Sequence, residues 1–159
     1  MGDFQQVESI ATLHRLNRSN VEQLEEQLND FCADRPIALV LPCLYSELQR
    51  DALKDIVSKL KEVEYLNEIV ITIGRASQDE FDHAKEFFSV LPKSKLIWDD
   101  GNGVQSLFNL LRENGLEAGD RGKGRAAWIA YGYVLARGSS KVIALHDCDI
   151  LTYSRELLA

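Results

Sequence analysis

The chain has 159 residues, 45% of them apolar and 27% charged, which is enough for one domain with its own hydrophobic core. A formal charge of −7 leaves no Lys/Arg surplus for tracking a phosphate backbone, so nonspecific nucleic-acid binding is disfavoured and at most a local basic pocket remains. No apolar run approaches the roughly 18 residues of a membrane span, the opening MGDFQQVESIATLHRL lacks the basic-then-apolar order of a signal peptide, and three cysteines without a C-x-x-C pair (Cys32, Cys43, Cys148) fit a reduced, cytoplasmic protein.

Residues 1–18 follow neither helical nor strand periodicity and are expected to form an N-terminal arm, which leaves 19–159 as the domain. "SNVEQLEEQLNDFC" opens with Ser19 and Glu22 in capping-box spacing and sets Val21, Leu24, Leu28 and Phe31 on one helical face. "PIALVLP" is a continuous apolar run between Pro36 and Pro42, the pattern of a strand buried on both faces. A helix follows from about Ser46, striped by Leu48, Ala52, Ile56, Leu60 and Val63. "EIVITIG" reads as a second buried strand, and Ser77 with Glu80 caps a helix carrying Phe81, Ala84, Phe88 and Leu91. "SKLIWDD" is a weaker third strand. "NGVQSLFNLLRENG" is helical and stopped by Gly115, "GKGRAAWIAYGYVLARG" is helical and stopped by Gly138, and the apolar run Val142 to Leu145 is a fourth strand.

This alternation predicts an α/β fold: about four mainly parallel strands in the neighbouring order third-second-first-fourth, with helices on both faces. Parallel sheets hold ligands beyond the carboxyl ends of their strands. Those ends read "PCLYSE", "GRASQDE", "DDGNG" and "HDCDILTY".

The fourth end carries Asp147 and Asp149. With twelve aspartates in the chain, about one Asp-x-Asp arises by chance. Position is more informative. On extended backbone the two carboxylates point to one side, and His146 and Cys148 point to the other. Two acids so placed repel each other unless a cation sits between them, and Mg²⁺ or Mn²⁺ suits a small set of hard oxygen ligands. The plainer alternative is that they cap a helix or face solvent. A second constellation is Lys123 between Gly122 and Gly124 at a helix start: close backbone approach, unpaired N–H groups and a movable positive charge together suit phosphate. It is not a P-loop, because the G-x-x-x-x-G-K-[ST] spacing is absent. An acid pair and a phosphate-seeking lysine together suggest a diphosphate ligand, such as a nucleotide sugar.

In this order and spacing, "IALVLPCLYSEL", "RGKGRAAWIAYGYVLA" and "ALHDCDILTYSRELLA" resemble the nucleotide-binding half of GT-A glycosyltransferases, nearest to those related to bacterial glucosyl-3-phosphoglycerate synthases. The resemblance extends over nearly the whole chain. It implies a Rossmann-like GT-A half whose parent activity is metal-dependent glycosyl transfer from a nucleoside-diphosphate sugar, UDP-glucose above all, to a small hydroxy acid such as 3-phosphoglycerate. It also implies that Pro42, Cys43, Leu44 and Glu47 run along the nucleoside, although the usual Asn-Glu is here Tyr45-Ser46. Lys123 would contact the nucleotide, Asp147 would lie near the ribose, and Asp149 would be the principal metal ligand with Asp147 beside it. The acid that many relatives place after the second strand to read the base is missing, since Gly74 and Arg75 stand there. Relatives also run far past the Asp-x-Asp, so the expectation is an amino-terminal half, inactive alone.

No catalytic base or nucleophile is identified, and His146 reads as structural. A nucleotidyltransferase would carry Gly, Arg or Lys in the loop after the first strand, and "PCLYSE" has none. A noncatalytic nucleotide-binding or interaction module stays open. A receiver-like domain would cluster acids after the first and third strands, and Asp99-Asp100 supplies only half of that.

Overall fold

A computed structural model describes residues 20–158. The arm expected over 1–18 lies outside the described residues, and so does Ser19. The first helix, α1 (Val21–Asp34), is capped instead by Asn20, whose side chain accepts from the Glu22 N–H at 3.2 Å.

Four strands form one sheet: β1 (Ile37–Leu44), β2 (Leu66–Gly74), β3 (Ser94–Trp98) and β4 (Val142–Leu145). Their order is β3-β2-β1-β4 and every pairing is parallel, as the apolar runs predict. Alternate residues of β1 serve two cores. Leu39, Leu41 and Cys43 pack with Leu53, Ile56, Leu60, Ala84 and Phe88 from α2 (Asp51–Leu60) and α3 (Gln78–Phe88). Ala38 and Val40 face Ala130 and Val134 of α5 (Lys123–Arg137) on the opposite side. Each fully buried Leu or Ile contributes about 1.5–3 kcal/mol relative to exposure. The Ser77–Glu80 box is made as expected: Glu80 N–H donates to Ser77 Oγ at 3.3 Å and Ser77 N–H to Glu80 Oε2 at 2.7 Å. Gly115, at φ 74°, ends α4 (Asn102–Glu113) as the left-handed residue of a Schellman turn, with Leu116 N–H reaching Leu111 C=O.

Several details depart from the periodic reading. The segment after β1 starts as a 3-10 turn (Tyr45–Gln49), and α2 begins only at Asp51. Phe31 is 42% exposed, and Cys32 packs toward the core beside Leu28. The fourth strand, apolar throughout, is only partly covered because it is the sheet edge, and Leu145 is exposed. No helix among the described residues is long and apolar enough to cross a membrane.

The order of strands sets where a ligand can go. The chain moves outward from β1 to β3 and then crosses back to place β4 on the other side of β1, which makes the β1–β4 boundary a topological switch point. Pro42 marks it. The Val40 C=O accepts from the His146 N–H at 3.1 Å, so Val40 faces β4, and two residues on Pro42 faces the same way, past the last β4 residue. No N–H is wanted there, so a proline is tolerated in an otherwise central strand.

Candidate functional site

A cleft of about 210 Å³ opens at that boundary, floored by Pro42, Cys43, Leu44 and Glu47 after β1 and by Gly74, Arg75 and Asp99 from the ends of β2 and β3. Its other wall is Arg121, Gly122, Lys123 and Ala126 at the start of α5, with Cys148 and Asp149 after β4. Ligand pockets usually measure about 300–1,000 Å³, so this one takes one end of such a ligand and leaves the rest outside.

The four strand ends thus converge, together with the glycine-flanked lysine. Gly122 is the N-cap of α5, and a Cβ built on Gly122 or Gly124 would meet nothing within 4 Å, so the unpaired N–H groups of the first turn stay approachable. Asp147 does not line the cleft. Its Oδ1 pairs with Lys123 Nζ at the rim, where both side chains are about half exposed. The positive charge required between the two acids is therefore supplied, for Asp147, by the lysine. Asp149 lines the cleft with no hydrogen-bond or ion-pair partner among the described residues.

The strand stops at Leu145 and the chain turns at Cys148–Asp149, yet Cys148 stays on the side of His146: it is buried in the core cluster that holds Tyr153, the residue His146 meets. Cys148 is buried in the cleft wall, and its thiol lies within 4.8 Å of Cys43 Sγ and a Glu47 oxygen. His146 does turn away. Its Nδ1 is 2.9 Å from the Tyr153 hydroxyl, and burial holds the imidazole below its ordinary pKa against the opposing pull of the Leu157 backbone and Asp147.

Two donor sets are available for a metal. The thiols of Cys43 and Cys148 with Glu47 are soft and buried. The side-chain hydrogen bond that the Cys43 thiol makes with Cys148, and then burial, push that thiol far up, so the thiolate that a metal needs is disfavoured. Glu47 is partly committed as well, accepting from Leu44 N–H at 3.2 Å. The free Asp149 carboxylate and the rim Asp147 are hard oxygen donors with open sides, a set that fits Mg²⁺ or Mn²⁺.

Periodicity did not disclose the remaining ion pairs. Arg121, Lys123 and Arg125 alternate along the loop and first turn of α5, and each meets a different aspartate. Arg121 pairs with Asp100, Lys123 with Asp147, and Arg125 Nη2 lies 3.3 Å from Asp99 Oδ2. Asp100 also accepts from Ala76 N–H at 3.0 Å, which fixes the loop after β2. Arg125 stacks over Phe108, its Cζ 4.5 Å from the ring centre. The signal that could have found them is the i, i+2, i+4 spacing of three cations opposite "DD" and "DCD".

Similarity to known proteins covers the same stretch. No protein-family model matches the chain. It is 41% identical over 160 residues to a glucosyl-3-phosphoglycerate synthase of Persephonella marina, an alignment covering 100% of this chain and 40% of that protein. It is 34% identical over 159 residues to a protein of the same name from Methanococcoides burtonii, covering 99% of this chain and 38% of the relative. The resemblance read from the motifs is borne out over the full chain, which spans about two fifths of the length of these relatives.

Proposed function

We propose that this chain forms the nucleotide-sugar side of a glycosyltransferase that moves glucose from UDP-glucose to 3-phosphoglycerate, with Mg²⁺ or Mn²⁺ held by Asp149 and Asp147. The observation that carries the reading is one cleft, at the switch point of the sheet, bringing Lys123, the α5 N-terminus and the free Asp149 together. The names of the two relatives support glucose as the group moved and 3-phosphoglycerate as its acceptor.

The residues divide the work. Pro42, Cys43 and Leu44 offer an apolar bed for the nucleoside, and Glu47 stands at its edge as a hydrogen-bond acceptor for a ribose hydroxyl. Lys123 leaves Asp147 for the diphosphate, and its charge offsets the negative charge that develops there as the glycosidic bond breaks. A Mg²⁺ or Mn²⁺ ion held by Asp149 and Asp147 would supply Lewis-acid stabilisation of the same leaving group. Asp147 becomes available for this role once the lysine releases it. The loop after β1 has no Gly, Arg or Lys to clasp a triphosphate, which disfavours nucleotidyl transfer.

Calorimetric titration with UDP-glucose, with and without Mn²⁺, tests the reading. Binding should require Mn²⁺ in the native chain and be lost in Asp149→Ala, whose circular dichroism should be unchanged because the carboxylate has no partner among the described residues. Equal Mn²⁺-dependent binding by variant and native chain would sink the assignment.

A further inference from the structure

Asp147 and Asp149 stand on a short loop, residues 147–152, whose two ends are tied to the fold and to each other. At its start the His146 N–H donates to Val40 C=O at 3.1 Å, which carries the pairing with β1 one residue past Leu145. At its end the Tyr153 C=O accepts from Lys59 Nζ of α2 at 2.6 Å. Across the neck, His146 Nδ1 lies 2.9 Å from the Tyr153 hydroxyl, and the two rings meet edge to face with centroids 5.5 Å apart. Within the loop, Cys148 is buried and Ile150 packs against the same core, whereas Asp147 is half exposed and Asp149 faces the cleft.

Tyr153 is 1% exposed, so its hydroxyl needs a partner inside the protein. A phenylalanine would fill the same core space with no such need, so packing alone does not account for the tyrosine. What the hydroxyl adds is a bond that closes the loop. Two carboxylates brought to one cation repel each other, and a loose loop must also be ordered before both can reach it. A loop already closed has met that ordering cost on folding. If only a fraction of the chains held the loop in the competent shape, the apparent Kd for the cation would rise by the inverse of that fraction.

We propose that the hydrogen bond between His146 and Tyr153 is the brace that positions Asp147 and Asp149 for a divalent cation. Neither His146 nor Tyr153 lines the cleft, so both act as positioning residues through the loop they close. This inference rests on the assignment of the cation to Asp149 and Asp147 and adds the residues that hold that site in shape.

The test is a double-mutant cycle on the 159-residue chain, with Mn²⁺ binding read from the electron paramagnetic resonance signal of the free ion and uridine binding from calorimetry. Tyr153→Phe and His146→Ala should each weaken Mn²⁺ binding roughly twofold to tenfold, the worth of one hydrogen bond, and the double variant should lose no more than either alone. His146→Asn, whose amide can take the place of Nδ1, should bind Mn²⁺ more tightly than His146→Ala. Uridine, which needs no cation, should bind native chain and variants alike. Tyr153→Phe keeps its ring in the core and carries the test should His146→Ala not fold. Unchanged Mn²⁺ affinity in Tyr153→Phe, losses that simply add in the double variant, or uridine affinity falling by the same factor would overturn the brace. Failure of the native chain to bind Mn²⁺ would overturn the metal assignment itself.

Discussion

Replacing Lys123 by alanine separates a phosphate contact from a surface ion pair. In the free chain the ammonium holds Asp147, but both side chains are about half exposed, so that pair stabilises the fold by only about 0–1 kcal/mol. A contact from the same lysine to a diphosphate is a charge-assisted hydrogen bond worth roughly 1.5–3 kcal/mol. Binding must first break the Asp147 pair, so the net loss in Lys123→Ala should be about 0.5–3 kcal/mol, or roughly twofold to 150-fold in UDP-glucose affinity. Uridine has no phosphate and should bind equally to both proteins. Mn²⁺ alone should bind the variant more tightly than the native chain, because Asp147 no longer carries a competing cation. Isothermal calorimetry with the three ligands gives all three numbers. Uridine affinity falling in step with that of UDP-glucose, or UDP-glucose affinity staying constant, would refute the argument.

Two further outcomes concern the scaffold. A Cβ on Gly101 would sit 2.8 Å from Trp98 Cε3, whose ring stacks on Phe81 and whose Nε1 donates to Ala76 C=O, so Gly101→Ala should cost about 1–3 kcal/mol and lower Tm. Gly103→Ala, with open space around it inside α4, should be neutral or slightly stabilising, and equal losses at both positions would contradict the packing argument. Burial, then the Glu25 charge, pushes the Tyr65 phenol up to about 12, and burial raises Tyr153 as well. Their folded pKa values lie above the unfolded value near ~10, so this stability is fully present below that pH and is lost as pH rises through about 12. Phenolate absorbance should show these two of the five tyrosines titrating late, together with unfolding; five tyrosines titrating together in the folded chain would count against it.

Local signals in the chain carried much of this fold. Runs such as "IALVL" and "EIVITIG" are apolar almost throughout, so they belong in a parallel sheet covered on both sides, and that places them at its centre. Ser77 with Glu80, and Gly115 and Gly138 past their helices, mark ends by backbone chemistry that needs no distant partner. The glycine-flanked Lys123 and the Asp-x-Asp were visible for the same reason. Periodicity cannot say when a strand stops, and the turn at Cys148–Asp149 is not legible in it. Nor can it say which strand ends meet. Arg121 and Asp100 are 21 residues apart, Lys123 and Asp147 are 24 apart, and Arg125 and Asp99 are 26 apart. They come together because the crossover from β3 to β4 carries the start of α5 over the sheet's carboxyl edge. The exposure of β4 follows from its place at the edge. Each residue's own chemistry is local and legible, whereas the company it keeps is set by strand order, which only the folded chain decides.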